Sequence, residues 1–419
     1  MIKCRKINGK GGDNVKKSSI YKILLTIIAL TTFLFLASAL LLQKLYNQEF
    51  LEDKTAQNID IAEENIEEHT VTLPNDQTIN IAVIGDIMCH NSQYNDAYDP
   101  NTGDYDFSYV FEDIKEYIES ADFSIGNLET TLAGKEIGYS SYPEFNTPEN
   151  MATDLKELGI DLLSTTNNHS LDKGFAGIVN TIDELDKVEL LHTGTYKTEE
   201  DASKLMITEV NGIKIGVVAY TYGTNGIKVP YDYCINLIDD EKIISDLDKM
   251  KNENVDLTIA IMHWGIEYEV YPNNEQERLA NLLFENGVDI ILGSHPHVLQ
   301  KMEKKEITLE NGKQKDGFVI YSLGNFISGQ VKQNTKQSVI LNLEITKHYG
   351  ADKKITIDSV NYTPVYMYDK NGNKRYKLMD IEKEINDFES GETRINRSLY
   401  DTLKSELDHI YSVVGEEYE

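Results

Sequence analysis

The sequence predicts an α/β fold, and three observations carry that prediction. Short apolar, β-branched runs alternate with helix-like stretches, five of those runs end in a polar cluster, and an Asn-Gly turn joins two further apolar runs. In such folds ligands bind at the carboxyl ends of strands, so five polar strand ends can converge on one site.

The first run, 79–84, ends in Gly85-Asp86. Run 122–125 ends at Gly126-Asn127-Leu128-Glu129 and run 162–166 at Asn167-Asn168-His169. Run 257–262 ends at His263, and run 288–292 at Gly293-Ser294-His295-Pro296-His297. Between them, apolar spacing predicts helices over 109–120, 149–158, 176–187, 239–252 and 275–286. Runs 205–210 and 213–219 flank Asn211-Gly212, a hairpin signature. Strands over 318–323, 338–345 and 355–364 give enough material for a second sheet packed on the first. Beyond about Lys377 the chain reads as charged and helical.

Ahead of this folded part, residues 23–42 form an uncharged apolar stretch long enough to cross a bilayer as one helix. Lys3, Arg5, Lys6, Lys10, Lys16, Lys17 and Lys22 precede it, opposed by Asp13 alone. The positive-inside rule then places the N-terminus in the cytoplasm and the rest outside the cell, as a single-pass membrane protein. The alternative is a cleaved signal peptide, with Ala37-Ser38-Ala39 as its small-residue site; the apolar run continues past that point, which favours the anchor. The predicted organisation is a basic N-terminus (1–22), a transmembrane helix (23–42), an acidic stalk (43–77), a main domain (78–370) and a charged helical extension (371–419).

The composition is globular, with 40% hydrophobic and 26% charged residues. Asp and Glu outnumber Lys and Arg by 70 to 40, and a formal charge of −30 excludes broad contact with nucleic acid. An anionic ligand needs a local attraction here: a metal pair, a helix N-terminus or a few clustered cations. Cys4, Cys89 and Cys234 form no metal or disulfide framework; pairing of Cys89 with Cys234 and a free buried thiol both stay open.

Of nine histidines, His90, His169, His263, His295 and His297 lie in or beside the strand-end clusters. A single histidine is more often structural than a ligand, but five at converging strand ends point to a metal. His295 and His297, two apart in an extended segment, place both imidazoles on one side of the backbone. Oxygens from Asp86, Glu129 and Asn168 with nitrogens from His263, His295 and His297 suit Mn²⁺, Fe²⁺ or Zn²⁺; calcium would want more oxygens. Such ions activate water and hold the attacked group in line. His169 then stabilises developing charge or protonates a leaving group, and Asp172 orients it. A helix cap ahead of Lys173-Gly174 is the equal alternative for Asp172.

These motifs, in this order, resemble the bacterial capsule synthesis family of CapA/PgsA-like proteins associated with poly-γ-glutamate. The strings are Ile84-Gly85-Asp86-Ile87-Met88, Gly126-Asn127-Leu128-Glu129, Thr166-Asn167-Asn168-His169-Ser170-Leu171-Asp172, His263-Trp264-Gly265, Gly293-Ser294-His295-Pro296-His297 and Tyr321-Ser322-Leu323-Gly324-Asn325-Phe326, spanning about 79–365. The resemblance implies a branch of the calcineurin-like metallophosphoesterases, with a four-layer αββα sandwich. Where that superfamily carries Asp-x-His, Met88 stands here; Asn127-Leu128-Glu129 replaces its bridging-Asp segment. His90 and Asn127 are the substitutes the sequence offers, and a one-ion and a two-ion site both stay open.

The family resemblance further implies capsule or poly-γ-glutamate biosynthesis or export, alongside other capsule-synthesis membrane proteins. Three functions follow for weighing. One is a metal-dependent phosphatase or phosphodiesterase acting on an envelope phosphoester. The second is a non-catalytic subunit that grips an anionic polymer, and the third is metal-based hydrolysis of γ-linked amides.

Overall fold

The computed structural model describes residues 74–308, 312, 314–350, 355–370, 374–392, 394–415 and 418. The expected basic N-terminus, membrane span and nearly all of the stalk lie outside the described residues. Among the described residues no helix is long and apolar enough to cross a membrane. Residues from Leu73 onward form one compact unit.

Among the described residues of this unit, sixteen strands and nine α-helices follow one another. The first half contains β1 (Gln77–Met88), α1 (Asn91–Ala97), a small hairpin of β2 (Tyr98–Asp99) and β3 (Asp104–Tyr105), α2 (Lys115–Glu119), β4 (Phe123–Leu128), α3 (Asn150–Leu158), β5 (Leu162–Ser164), α4 (Gly174–Lys187) and β6 (Leu191–Thr193). Next come α5 (Glu199–Ser203), β7 (Met206–Val210), β8 (Ile213–Thr221), α6 (Asp240–Asn252), β9 (Leu257–His263), α7 (Asn274–Glu285) and β10 (Ile290–Ser294). The last part holds β11 (Leu299–Thr308), β12 (Gln314–Leu323), β13 (Asn325–Ser328), β14 (Gln337–Lys347), β15 (Ile355–Asp369), β16 (Tyr376–Asp380), α8 (Ile381–Ser390) and α9 (Arg397–Val414).

Two mixed sheets result. One has the order β16-β15-β14-β1-β4-β5-β6 with β13 also paired to β1, the other β11-β12-β10-β9-β8-β7. Their central strands are parallel: β1, β4, β5 and β6 in the first, β8, β9, β10 and β12 in the second. The sheets face each other across a core in which Ile81, Val83 and Ile125 meet Ile215, Ile259, Leu292 and Ile320. Alternation sends Ile84 and Leu163 to the opposite face, where Ile118, Leu155 and Leu185 cover them. On the outer face of the second sheet, Val218, Ala260 and Ile291 pack with Leu247 of α6 and Leu279 and Leu283 of α7. Strands covered on both faces read as the continuous apolar runs seen in the sequence.

The structure differs from the sequence reading in two places. The helix expected over 109–120 is a 3₁₀ turn, Ser108–Val110, followed by the short α2. Tyr109, Val110 and Phe111 are all buried, and three consecutive buried side chains exceed what one helical face can hide. Beyond Lys377, the chain first completes β16; then α8 and α9 place Ile381, Ile385, Leu403 and Ile410 in the core between the sheets. Of the two readings left open for Cys89 and Cys234, the structure has the free buried thiols.

Candidate metal centre

Strand register aligns polar side chains at the carboxyl ends of both sheets. In the first sheet Asp86 pairs with Asn127 on one side and Asn325 on the other, and Asn127 pairs with Ser164. In the second, His263 pairs with Thr221 and Ser294. The approach of chain to chain is close: a Cβ on Gly85 would lie 2.1 Å from the Gly324 carbonyl oxygen, and one on Gly293 2.0 Å from that of Tyr321. Glycine is therefore required at both positions, one beside Asp86 and one just before Ser294.

His295 and His297 do converge, with ring centres 5.9 Å apart, but not through an extended pleat. Their φ values are +94° and +59°, a left-handed turn around Pro296. Strained backbone of this kind persists only where surrounding contacts over-determine it. Here the His295 N–H donates to Asp86 Oδ2 at 3.3 Å, and the rings of Tyr222 and His263 lie 4.4 and 4.8 Å from that of His295.

At the centre is Glu129, 0% exposed, with neither carboxylate oxygen accepting a hydrogen bond. Its Oε1 lies 3.6 Å from His263 Nε2 and 3.6 Å from His297 Nε2. Asn127 Nδ2 donates to Asp86 Oδ1 at 2.8 Å, while Asn127 Oδ1 is buried without a partner, as is His295 Nδ1. Two groupings of potential ligand atoms share Glu129: one with His295 and His297, the other with Asp86 and His263.

The surrounding groups constrain the imidazoles. His263 Nδ1 lies 2.9 Å from Ser294 Oγ and 3.3 Å from Asn127 Nδ2, and its Nε2 lies 2.8 Å from Asn168 Oδ1 and 3.6 Å from Glu129 Oε1. His297 Nδ1–H faces Asn325 Oδ1 at 3.1 Å and Asp86 Oδ2 at 3.2 Å, which leaves its Nε2 toward Glu129.

Electrostatics agree with this geometry. Burial first, and then the Asp86 charge, hold the Glu129 carboxyl well above the usual carboxylate range. Burial pushes His263 well below the ordinary imidazole range and His295 down to about 3, with neighbouring histidines adding to both shifts. Neutral imidazoles are the ligating form, and a buried carboxyl without donors keeps its proton unless a cation takes its place. The residues present therefore fit a divalent ion.

Beside the cluster, His169 Nδ1–H donates to Asp172 Oδ2 at 2.7 Å, and the same oxygen accepts the Phe145 N–H at 2.6 Å. Asp172 thus orients His169 instead of capping a helix; α4 has no side-chain cap at Lys173. Asn225 Oδ1 accepts from Asn168 Nδ2 at 3.2 Å. His90 is in neither grouping: the Phe145 ring lies edge-on to His90 at 5.2 Å and to His169 at 4.8 Å. His90 Nδ1 accepts the Gly329 N–H at 3.0 Å, and burial lowers its pKa to about 4.

Asp86, Asn127, Glu129, Asn168, His263, His295 and His297 are thus brought together, with His169 and Asp172 adjoining. Ser294, Asn325, Tyr222 and Asn225 are further neighbours of the cluster that sequence reasoning passed over. Ser294 and Asn325 sit inside the motif strings themselves. Tyr222 and Asn225 follow β8, a sixth strand end whose polar residues do not cluster tightly enough to stand out.

Fold and site together define a mixed α/β protein with a candidate metal-binding cluster at the carboxyl ends of two facing sheets. The profile of the bacterial capsule synthesis protein family PGA_cap matches residues 80–330, and the chain belongs to that family. It is 27% identical over 280 residues to the capsule biosynthesis protein CapA of Bacillus anthracis, covering 64% of each chain. It is 25% identical over 338 residues to the PGA biosynthesis protein CapA of Bacillus subtilis, covering 79% of this chain and 85% of that one. Among solved structures, the calcineurin-like phosphoesterase YfkN of Bacillus subtilis is similar with a TM-score of 0.43 and 17% identity, over 69% of this chain and 90% of that one.

Proposed function

We propose that this chain is a membrane-anchored, extracytoplasmic member of the capsule-synthesis machinery. In this reading its strand-end cluster holds one or two divalent ions and hydrolyses an anionic capsule polymer or phosphoester. The observation that carries the reading is Glu129: wholly buried, without a hydrogen-bond donor, and faced by Nε2 of both His263 and His297. The predicted span over 23–42 supports the location, and the family supports the process.

Asp86, Glu129, Asn168, His263, His295 and His297 would hold the ions, with Asn127 Oδ1 as a further oxygen. When bound, divalent ions there supply charge neutralisation for the anionic group and activation of water. Asn325 and Asp86 hold His297 in the tautomer that keeps Nε2 unprotonated, and Ser294 positions the His263 ring through Nδ1. Asp172 fixes the proton on His169 Nδ1, so His169 Nε2 is the atom that takes or gives a proton at a leaving group. Tyr222, packed on His295, keeps bulk water from that side of the cluster.

Elemental analysis of the full chain loaded with Mn²⁺, together with turnover of bis(p-nitrophenyl) phosphate, tests this. Wild type is expected to bind about one to two ions and turn over; His295→Ala with His297→Ala loses both. Bound metal without turnover would move the site to polymer binding, and absence of metal would overturn the reading.

A further inference from the structure

The rim of the candidate centre carries an arrangement that metal binding does not require. Tyr268 has φ +70°, a left-handed conformation uncommon for a bulky residue. Its N–H donates to the Pro296 carbonyl at 2.7 Å, between the two site histidines, and its ring centre lies 6.1 Å from that of His297. The phenol oxygen accepts from Gln330 Nε2 at 3.4 Å, and Gln330 Oε1 accepts from Asn325 Nδ2 at 3.1 Å. Asn325 Oδ1 in turn faces His297 Nδ1. A strained aromatic residue is therefore tied both by backbone and by side chain to a histidine of the centre.

Lys332 sits on this ring, its Nζ 3.4 Å from the centroid. It is exposed, beside Val331 at 84% exposure, and among the described residues its ammonium has no carboxylate partner. Glu267 precedes Tyr268 in the chain; after burial, its charge is the next cause of the raised phenol pKa. A cation on an exposed aromatic face is held in place yet exchanges readily for a carboxylate or phosphate, which offers a charge-assisted hydrogen bond. In a chain of charge −30, such a cation beside the centre attracts an anion where most of the surface repels it.

Resting on the metal reading above, we propose that Lys332, positioned by Tyr268, captures a second anionic group of the substrate. The first group goes to the ions and the second to Lys332, so the site selects a chain of repeated anionic units over a single unit. The second group is a carboxylate or a phosphate, both of which an ammonium accepts.

The test is calorimetric binding to the full chain, loaded with Mn²⁺ and checked for metal content. The probes are a γ-linked glutamate hexamer against glutamate, and a glycerol phosphate trimer against glycerol phosphate. Wild type is expected to bind at least one oligomer about tenfold tighter than its single unit, and the pair that shows this margin identifies the anion. Lys332→Ala removes the margin while metal content and single-unit affinity stay unchanged; Lys332→Arg and Tyr268→Phe keep it. A wild-type chain with metal but no margin, or a Lys332→Ala chain with the margin intact, overturns the proposal and leaves the metal reading standing. A chain without metal overturns both.

Discussion

Replacing Glu129 with Gln should change stability in opposite directions in metal-free and metal-loaded protein. In the metal-free chain the carboxyl is wholly buried, accepts no hydrogen bond and lies beside Asp86. Because its folded pKa is raised above the ordinary 4.5, the folded state holds the proton more tightly than the unfolded one. That contribution to stability is complete below 4.5 and is lost as pH rises through the folded value. An unpaired buried ion costs several kcal/mol, and an amide of the same shape still leaves buried polar atoms without partners. The net gain for metal-free Glu129→Gln at neutral pH is then about 1–3 kcal/mol, a few degrees in Tm, and its stability falls less steeply with rising pH. With metal the sign reverses: an ion at 1,000 times its Kd stabilises wild type by about 4 kcal/mol, and the variant forfeits most of that. Calorimetric melting in EDTA and in saturating Mn²⁺ measures both. A variant that melts lower than wild type in EDTA and gains as much as wild type from Mn²⁺ would refute the reasoning.

Further outcomes follow from the same contacts. Ser294→Ala removes the hydroxyl that holds His263 Nδ1 and should weaken metal affinity about 10- to 100-fold in a competition titration, with little effect on the fold. Asp172→Asn frees the His169 tautomer and should lower kcat by about 10²-fold or more, with metal content unchanged in elemental analysis. Gly293→Ala drives a Cβ into the Tyr321 backbone and should cost about 1–3 kcal/mol in denaturant unfolding, with loss of metal. Asp154, whose pKa burial raises to about 6, makes metal-free stability fall as pH rises from 3.8 through about 6. Asp154→Asn should flatten that slope by about 1 kcal/mol, after allowance for solvent screening of a partly exposed group.

What the sequence discloses about this molecule depends on how local the signal is. Runs 79–84 and 257–262 fall within β1 and β9, because strands covered on both faces are continuous apolar runs. β11, Leu-Gln-Lys-Met-Glu-Lys-Lys-Glu-Ile-Thr, gives no such signal: it is a charged edge strand. The helix over 109–120 failed because its apolar residues are set by contacts such as Phe111 stacked on Phe326, far along the chain. At the centre, ligand types and their strand-end positions were legible as motifs. The left-handed turn through His295 and His297, and the edge-on packing of Phe145 against His90, are properties of the packed loops alone.

The central claim is that Glu129 is the carboxylate around which the metal centre is built. A crystal of the full chain, or of the unit from Leu73 onward, grown with Mn²⁺ and measured for anomalous scattering tests it most directly. The account predicts anomalous density within bonding distance of Glu129 and of Nε2 of His263, of His297, or of both. Anomalous density confined to other carboxylates, with Glu129 left without a cation, would contradict it.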